Sequence, residues 1–234
     1  MNRLYREYLK RVLDIFLSGI AIIALSPLIG VIALLVIFRL GPPVLFRQDR
    51  PGKDERIFTM YKFRTMTDKK DELGCLLPDC DRLTEFGRRL RNTSLDELPE
   101  LFNVFKGDMS IIGPRPQLVR DLVFMTPEQR RRHLVRPGVS GLAQCSGRNQ
   151  ISWEKKFEYD LNYLRHISFR FDFKIVLKTI VKVLERDGIT GDGAATAVDL
   201  GDYLLLSHQV SREYYSKRQD KAQSLLSYGK RRGR

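Results

Sequence analysis

The chain has 234 residues, 43% of them hydrophobic, which is enough for one globular domain with a sizeable core. Its 41 Lys and Arg against 28 Asp and Glu leave a formal net charge of +13, suited to an anionic partner such as nucleic acid, lipid head groups or phosphorylated metabolites. Cys75, Cys80 and Cys145 are odd in number and follow no secretory cleavage signal, which argues against a disulfide framework; neither they nor His133, His166 and His208 have zinc-ligand spacing.

From Ile15 to Phe38 the sequence IFLSGIAIIALSPLIGVIALLVIF carries no charge over 24 positions. That length suffices to cross a hydrocarbon core and exceeds a signal-peptide core. Basic residues flank both ends: Arg3, Arg6, Lys10 and Arg11 before it, and Arg39, Arg47, Arg50, Lys53 and Arg56 after it. Positive flanks mark the cytoplasmic side, so both ends claim the same face. Ser26-Pro27 lies midway, where proline removes a helical hydrogen bond and Ser26 helps re-satisfy the freed carbonyl groups. The expected arrangement is a re-entrant helix-break-helix that enters the membrane and returns; a single kinked span is the alternative.

After Gly41-Pro42-Pro43, VLFRQ and RIFTMYKF read as two strands around the turn DRPGKDE, with Lys62 and Arg64 near the end of the second. Thr67 to Asp81 reads as a loop, and Thr84 caps a helix to Arg91. Leu98, Leu101, Phe102 and Phe105 form a helical stripe that stops at Gly107. Ser94 and Glu97 match a capping box, but Pro99 belongs in a first turn, so the helix start is placed near Asp96. MSII reads as a short strand, GPRP as a rigid turn, and Thr126-Pro127-Glu128-Gln129 as a helix start. The connection RPGVSGLAQCSGRN precedes helices at Ser152 to His166 and about Asp172 to Arg186. The latter is either a membrane-surface helix or a core helix with a solvated face. Arg212 to Arg234 holds eight basic and two acidic residues, the composition of a partly disordered tail that either meets anionic lipid or merely solubilises.

The chain thus divides into a basic flank and membrane hairpin at 1–40, a cytoplasmic catalytic body at 41–198 and a basic extension at 199–234. The expected class is α+β, with short strands and no Rossmann domain. Its chemical centre is the adjacent pair Asp96 and Glu97, which point in different directions from a helical turn and so can serve two ligands, one attacking and one holding a metal. Carboxylates at a helix start also have a purely local explanation, because they oppose the helix dipole. Lys62, Arg64, Arg91, Arg115, Arg136 and Arg148 offer a surrounding set of phosphate-binding cations, several of them on Gly- and Pro-rich turns. An acid pair among cations beside a membrane fits chemistry on a diphosphate with a lipid acceptor, and Mg2+ is the metal suited to oxygen ligands plus substrate phosphates.

The motifs YKFRTM, LRNTSLDELPELFNVFKGDMSIIGPRP and RPGVSGLAQCSGRN, with the Ser26-Pro27 break, resemble the bacterial sugar transferases known as monotopic phosphoglycosyl transferases, over roughly Tyr8 to Thr196. The resemblance implies transfer of a phosphosugar from a UDP-sugar to polyprenyl phosphate with release of UMP, at the cytoplasmic face of the bacterial inner membrane. It implies that Asp96 is the nucleophile, Glu97 the Mg2+ ligand, and Lys62, Arg91 and Arg115 phosphate binders. It makes Arg148 and Asp172 a distal pair that shapes the site, for which an ordinary surface ion pair is the plain alternative. It also implies a re-entrant membrane helix, interfacial amphipathic helices and a minimal catalytic unit without the extra amino-terminal spans of longer members. Leu142, Cys145 and Ser146 stand where the family often has Trp, Val and Asn, which bears on sugar preference.

Two other classes compete. Asp79-Cys80-Asp81 matches the metal motif of glycosyltransferases that release UDP, although no nucleotide-binding alternation of strands and helices precedes it. A membrane-anchored basic module would bind nucleic acid or lipid through Arg130 to Arg132 and the tail, but leaves the acid pair unexplained. Nucleic acid is therefore not the expected partner.

Overall fold

The computed structural model describes residues 2–147, 151–184 and 198–232. A π-helical turn at Tyr5–Leu9 leads into one long helix, α1 (Lys10–Leu40), which continues through Pro27 without the interruption expected at Ser26-Pro27. Pro27 and Ser26 are exposed, and the Ser26 hydroxyl donates to the Ile23 carbonyl at 2.8 Å. Most of α1 faces outward, with Ile23 76% and Phe38 80% exposed, as an apolar helix meant for lipid would be.

Both halves of α1 nevertheless grip the body. Near its start, Arg11 donates to the carbonyls of Val104 and Phe105, and the Asp14 carboxylate accepts from the Ile111 amide at 3.0 Å. Beyond Pro27, Ile32 and Val36 are buried with Phe63 and Leu90, packed also by Leu95 and Leu98. A single structural body therefore holds the helix on both sides of its proline.

The hairpin β1 (Leu45–Pro51) and β2 (Ile57–Phe63) is antiparallel, in register from Leu45 opposite Phe63 to Pro51 opposite Ile57. Helix α2 (Glu85–Asn92) is capped by Thr84, whose hydroxyl accepts from the Gly87 amide. The next segment departs from expectation: Asp96 and Glu97 sit on a separate 3-10 turn, Leu95–Glu97, and the α-helix proper, α3, runs Glu100–Lys106. Ser94 is left-handed (φ 55°) and makes no side-chain cap, so the capping-box geometry is absent. Fully buried Asn103 joins α3 to β2, accepting from the Tyr61 amide at 3.1 Å and donating to the Thr59 carbonyl at 2.8 Å.

Strand β3 (Ser110–Ile112) pairs in parallel with β4 (Gly138–Ser140), a strand concealed in the glycine-rich connection. Helices α4 (Val119–Leu122), α5 (Pro127–Arg130), α6 (Leu142–Cys145) and α7 (Trp153–His166) follow. Helix α8 spans Phe169–Leu184, starting before the expected Asp172. It buries Ile175 against Ile112, Tyr163 and Ile167, while Phe169, Phe173, Leu177, Ile180 and Val181 lie exposed. That pattern is a helix with two apolar sides, one for the core and one left open.

The tail also departs from expectation, because it carries α9 (Leu200–Leu206) and α10 (Arg212–Arg232). Leu200 and Ala222 are buried in one core cluster with Leu122, Phe124, Met125, Trp153 and Phe157. The physical reason is a remote aromatic contact: Phe124 stacks on Tyr215 with ring centroids 5.6 Å apart.

The β3–β4 approach admits no side chains at its glycines. A Cβ on Gly138 would lie 2.1 Å from the Gly113 amide nitrogen, whereas one on Gly30 in α1 meets nothing within 4 Å. Gly138→Ala is accordingly expected to lower stability by about 1–3 kcal/mol. Gly30→Ala should leave it unchanged or raise it by up to about 1 kcal/mol, as read by thermal melts in detergent.

Candidate active site

The 3-10 turn that carries Asp96 and Glu97 faces the end of β2 and the turn after β3. From β2, the Lys62 ammonium reaches Glu97 at 2.6 Å and Glu100 at 3.2 Å. From the GPRP turn, Arg115 Nη2 reaches the same Glu97 Oε1 at 2.9 Å. Arg91, at the end of α2, donates to the Thr65 hydroxyl at 3.0 Å and bears on Asp96 electrostatically. Three segments thus converge on two adjacent residues.

Glu100 was not singled out by sequence reasoning, yet it is 2% exposed and shares Lys62 with Glu97. The available signal was its i+3 spacing from Glu97, which places it one turn further along the same side. The structure sets the three acids apart electrostatically. Burial pushes Asp96 up to about 6, helped by Glu97 and opposed by Lys62, Arg91 and Arg115. Burial also pushes Glu97 up, but Lys62 and Arg115 outweigh it and hold this carboxyl well below the usual range. Burial raises Glu100 to about 7, with Lys62 opposing and Glu97 adding to the shift. Glu97 is therefore a permanent anion, while Asp96 ionises close to neutrality.

The other predicted residues are placed elsewhere. Arg64 leaves the cluster because β2 ends at Phe63 and the strand alternation with Lys62 stops there. Its guanidinium instead donates to the carbonyls of Leu40, Pro42 and Met66, bracing the end of α1. Arg136 donates to the Gly107 carbonyl at 2.8 Å, beside Arg11 at the far end of α3 from the acid pair. Arg148 lies outside the described residues. Asp172 is buried, not a surface partner: Tyr5 and Lys10 donate to Oδ2 at 2.7 and 2.5 Å, and Tyr163 to Oδ1 at 2.8 Å. It fastens the amino-terminal helical segment to α7 and α8.

Among the described residues no group of three His, Cys, Asp or Glu side chains is placed to hold a metal ion. A metal held by the carboxylates present would be a hard cation of the Mg2+ kind, completed by the phosphates of a substrate. The competing readings lose ground on geometry. The described strands form two small two-stranded sheets rather than a doubly wound sheet. The run Arg130 to Arg132 is no open basic face, since Arg130 pairs with Glu55, Arg131 with Glu128 and buried Arg132 with Asp160.

The bacterial sugar transferase pattern matches residues 5–186, covering both α1 and the whole acid–cation cluster. The chain belongs to the bacterial sugar transferase family. This sugar transferase is 49% identical over 189 residues to the uncharacterised sugar transferase EpsL of Bacillus subtilis, covering 81% of the chain and 94% of that relative. It is 41% identical to a UDP-glucose:undecaprenyl-phosphate glucose-1-phosphate transferase of Klebsiella pneumoniae, over 74% of the chain and 39% of the relative. It is 40% identical to a UDP-N-acetylgalactosamine-undecaprenyl-phosphate N-acetylgalactosaminephosphotransferase of Aeromonas hydrophila, over 80% of the chain and 45% of the relative. The sugar transferase therefore spans nearly all of the first relative and less than half of the other two.

A raised carboxyl pKa is a stability cost with a defined sign. Asp96 holds its proton more tightly folded than unfolded, so its ionisation destabilises the fold progressively from about pH 4, the unfolded value, to about pH 6, and fully above that. Asp96→Asn should therefore melt higher than wild type at pH 7.5, with the gain shrinking toward pH 4. Glu100→Gln should behave alike, its gain developing up to about pH 7. Thermal melts across this range check both.

Proposed function

We propose that this sugar transferase moves a sugar 1-phosphate from a UDP-sugar to polyprenyl phosphate, undecaprenyl phosphate in bacteria, and releases UMP as the first membrane step of a glycoconjugate pathway. The observation that carries the reading is a buried carboxylate, Asp96, that ionises near neutrality among Lys62, Arg91 and Arg115, beside a Glu97 kept permanently charged. The relatives whose names state undecaprenyl-phosphate sugar-phosphate transfer support the substrate classes.

An oxygen of ionised Asp96 attacks the sugar-bearing phosphorus, the bond to the uridine-linked phosphate breaks, and UMP leaves with its electron pair. An oxygen of the lipid phosphate then attacks the same phosphorus, expelling Asp96 as a free carboxylate and completing a ping-pong cycle. Lys62 and Arg115, already oriented by Glu97, meet the negative charge that gathers on the phosphoryl oxygens and the departing UMP. A magnesium ion held by Glu97 and the substrate phosphates would neutralise the diphosphate there.

The helical segment Tyr5–Leu40 has 36 residues and a mean hydropathy of 3.0 in its most apolar window. A straight crossing needs only about 20 residues. Its excess length, its proline and the grip of the body on both halves support a re-entrant course, with the body at the cytoplasmic face of the inner membrane. The exposed apolar side of α8 supports its resting on the same interface.

The deciding experiment is nucleotide release from a panel of UDP-sugars, with polyprenyl phosphate and Mg2+. UMP from one donor, lost by more than about 1,000-fold in Asp96→Asn, is the expected outcome for removal of a covalent nucleophile. Release of UDP would overturn the reading. Because only ionised Asp96 attacks, kcat/KM should fall about tenfold per pH unit below about pH 6, the value to which burial lifts this group. A rate independent of pH between 4.5 and 6 would contradict that assignment.

A further inference from the structure

Arg115 reaches Glu97 from a four-residue turn, and a turn alone does not fix a long side chain. Behind the turn stands a buried device that the proposed chemistry has not used. Arg132, 2% exposed, donates through Nη2 to the Arg115 carbonyl at 2.7 Å. The same guanidinium meets Asp160 Oδ2 through Nε at 2.9 Å and Nη2 at 2.7 Å, and lies over the Phe157 ring at 5.9 Å. Asp160, Phe157, Trp153 and Tyr163 share the buried side of α7. One residue further along the turn, Arg50 of β1 donates to the Pro116 carbonyl at 3.1 Å. Two arginines from different elements therefore hold consecutive carbonyls at the residue that carries the catalytic cation.

A buried ion pair is weak as a source of stability, because desolvating two charges offsets most of their attraction. A well-packed apolar pair would serve a core equally well. What an apolar pair cannot supply is a fixed donor for a backbone carbonyl. We propose that Arg132, oriented by Asp160, is a positioning residue: it sets the backbone of Arg115 so that this guanidinium meets Glu97 and the transferred phosphoryl group. The inference rests on the reading of Arg115 and Glu97 as parts of a phosphosugar transferase site. Lys at position 132 keeps the charge but has one nitrogen in place of the fork that spans Asp160 and the carbonyl.

The test is a cycle of four full-length proteins in detergent: wild type, Arg132→Lys, Arg115→Ala and the double variant. Each is assayed for UMP release with its donor, and its melting temperature is recorded. Misplacement of a catalytic cation should lower kcat about 10- to 100-fold in Arg132→Lys. In the Arg115→Ala background the same change should alter kcat less than twofold, because the cation it positions is gone. An equal loss in both backgrounds would show that Arg132 acts on the fold at large, and would overturn the proposal.

A second readout does not depend on turnover. In protein labelled with 15N-arginine, the Arg115 side-chain signal, identified by its loss in Arg115→Ala, should exchange with solvent at least fivefold faster in Arg132→Lys and in Asp160→Asn. Unchanged exchange in both variants overturns positioning. Faster exchange in a protein that releases no UMP from any donor retains it and removes the transferase reading instead.

Discussion

Three carboxyl groups within five residues, all withdrawn from water, are tolerable only if cations reach them, and Lys62 is the cation that reaches two. Its position at the end of β2 makes the hairpin, the 3-10 turn and α3 parts of one electrostatic unit. Burial alone would lower the basicity of Lys62, yet Glu97 and Glu100 carry it upward, so it stays charged at any physiological pH. With Arg115 donating to the same oxygen, Glu97 is locked as an anion and its charge holds back the ionisation of Asp96. The raised value of Asp96 is thus set first by its burial, with the charge of Glu97 adding to it and the cations opposing it, rather than by any one contact.

The membrane element is tied to that unit. Val36, Ile32 and Leu98 share a cluster, so the second half of α1 packs on the segment that leads from the acid pair into α3. Arg64 braces its end and Arg11 its beginning, the latter at the carbonyl terminus of α3, where a cation is also favoured by the helix dipole. The consequence is that the acid pair lies at one end of a short helix whose other end is fastened to the lipid-facing segment. A lipid acceptor and a water-soluble donor can then be served by a single rigid assembly.

Much of this was legible in the sequence where the cause was local. The hairpin follows from DRPGKDE between two apolar runs, Thr84 caps the helix it precedes as expected, and the helix starts expected at Thr126 and Ser152 prove to be capped by those residues. Lys62, Arg91 and Arg115 were picked out with the acid pair, and all three bear on Asp96 in the structure. What was illegible depended on remote partners. Strand β4 has three residues and exists only through β3. Arg64 and Arg136 have the composition of phosphate ligands but donate to carbonyl groups away from the acid pair. Asp172 is matched by Tyr5 and Lys10 from the start of the chain, together with nearby Tyr163. Glu100 escaped because it reads as an ordinary first-turn acid.

The carboxy-terminal helices show the same dependence in another form. The family pattern ends at residue 186, yet Leu200, Tyr215 and Ala222 complete the apolar seat of Phe124 and Trp153. A Cβ on Gly201 would lie 2.6 Å from the Phe124 ring, so the seam is closely fitted. Trimming the protein to its recognisable homologous portion would strip one wall from the cluster that follows the GPRP turn. The extent of this folded body is therefore set by an aromatic seam and not by the extent of its shared motifs.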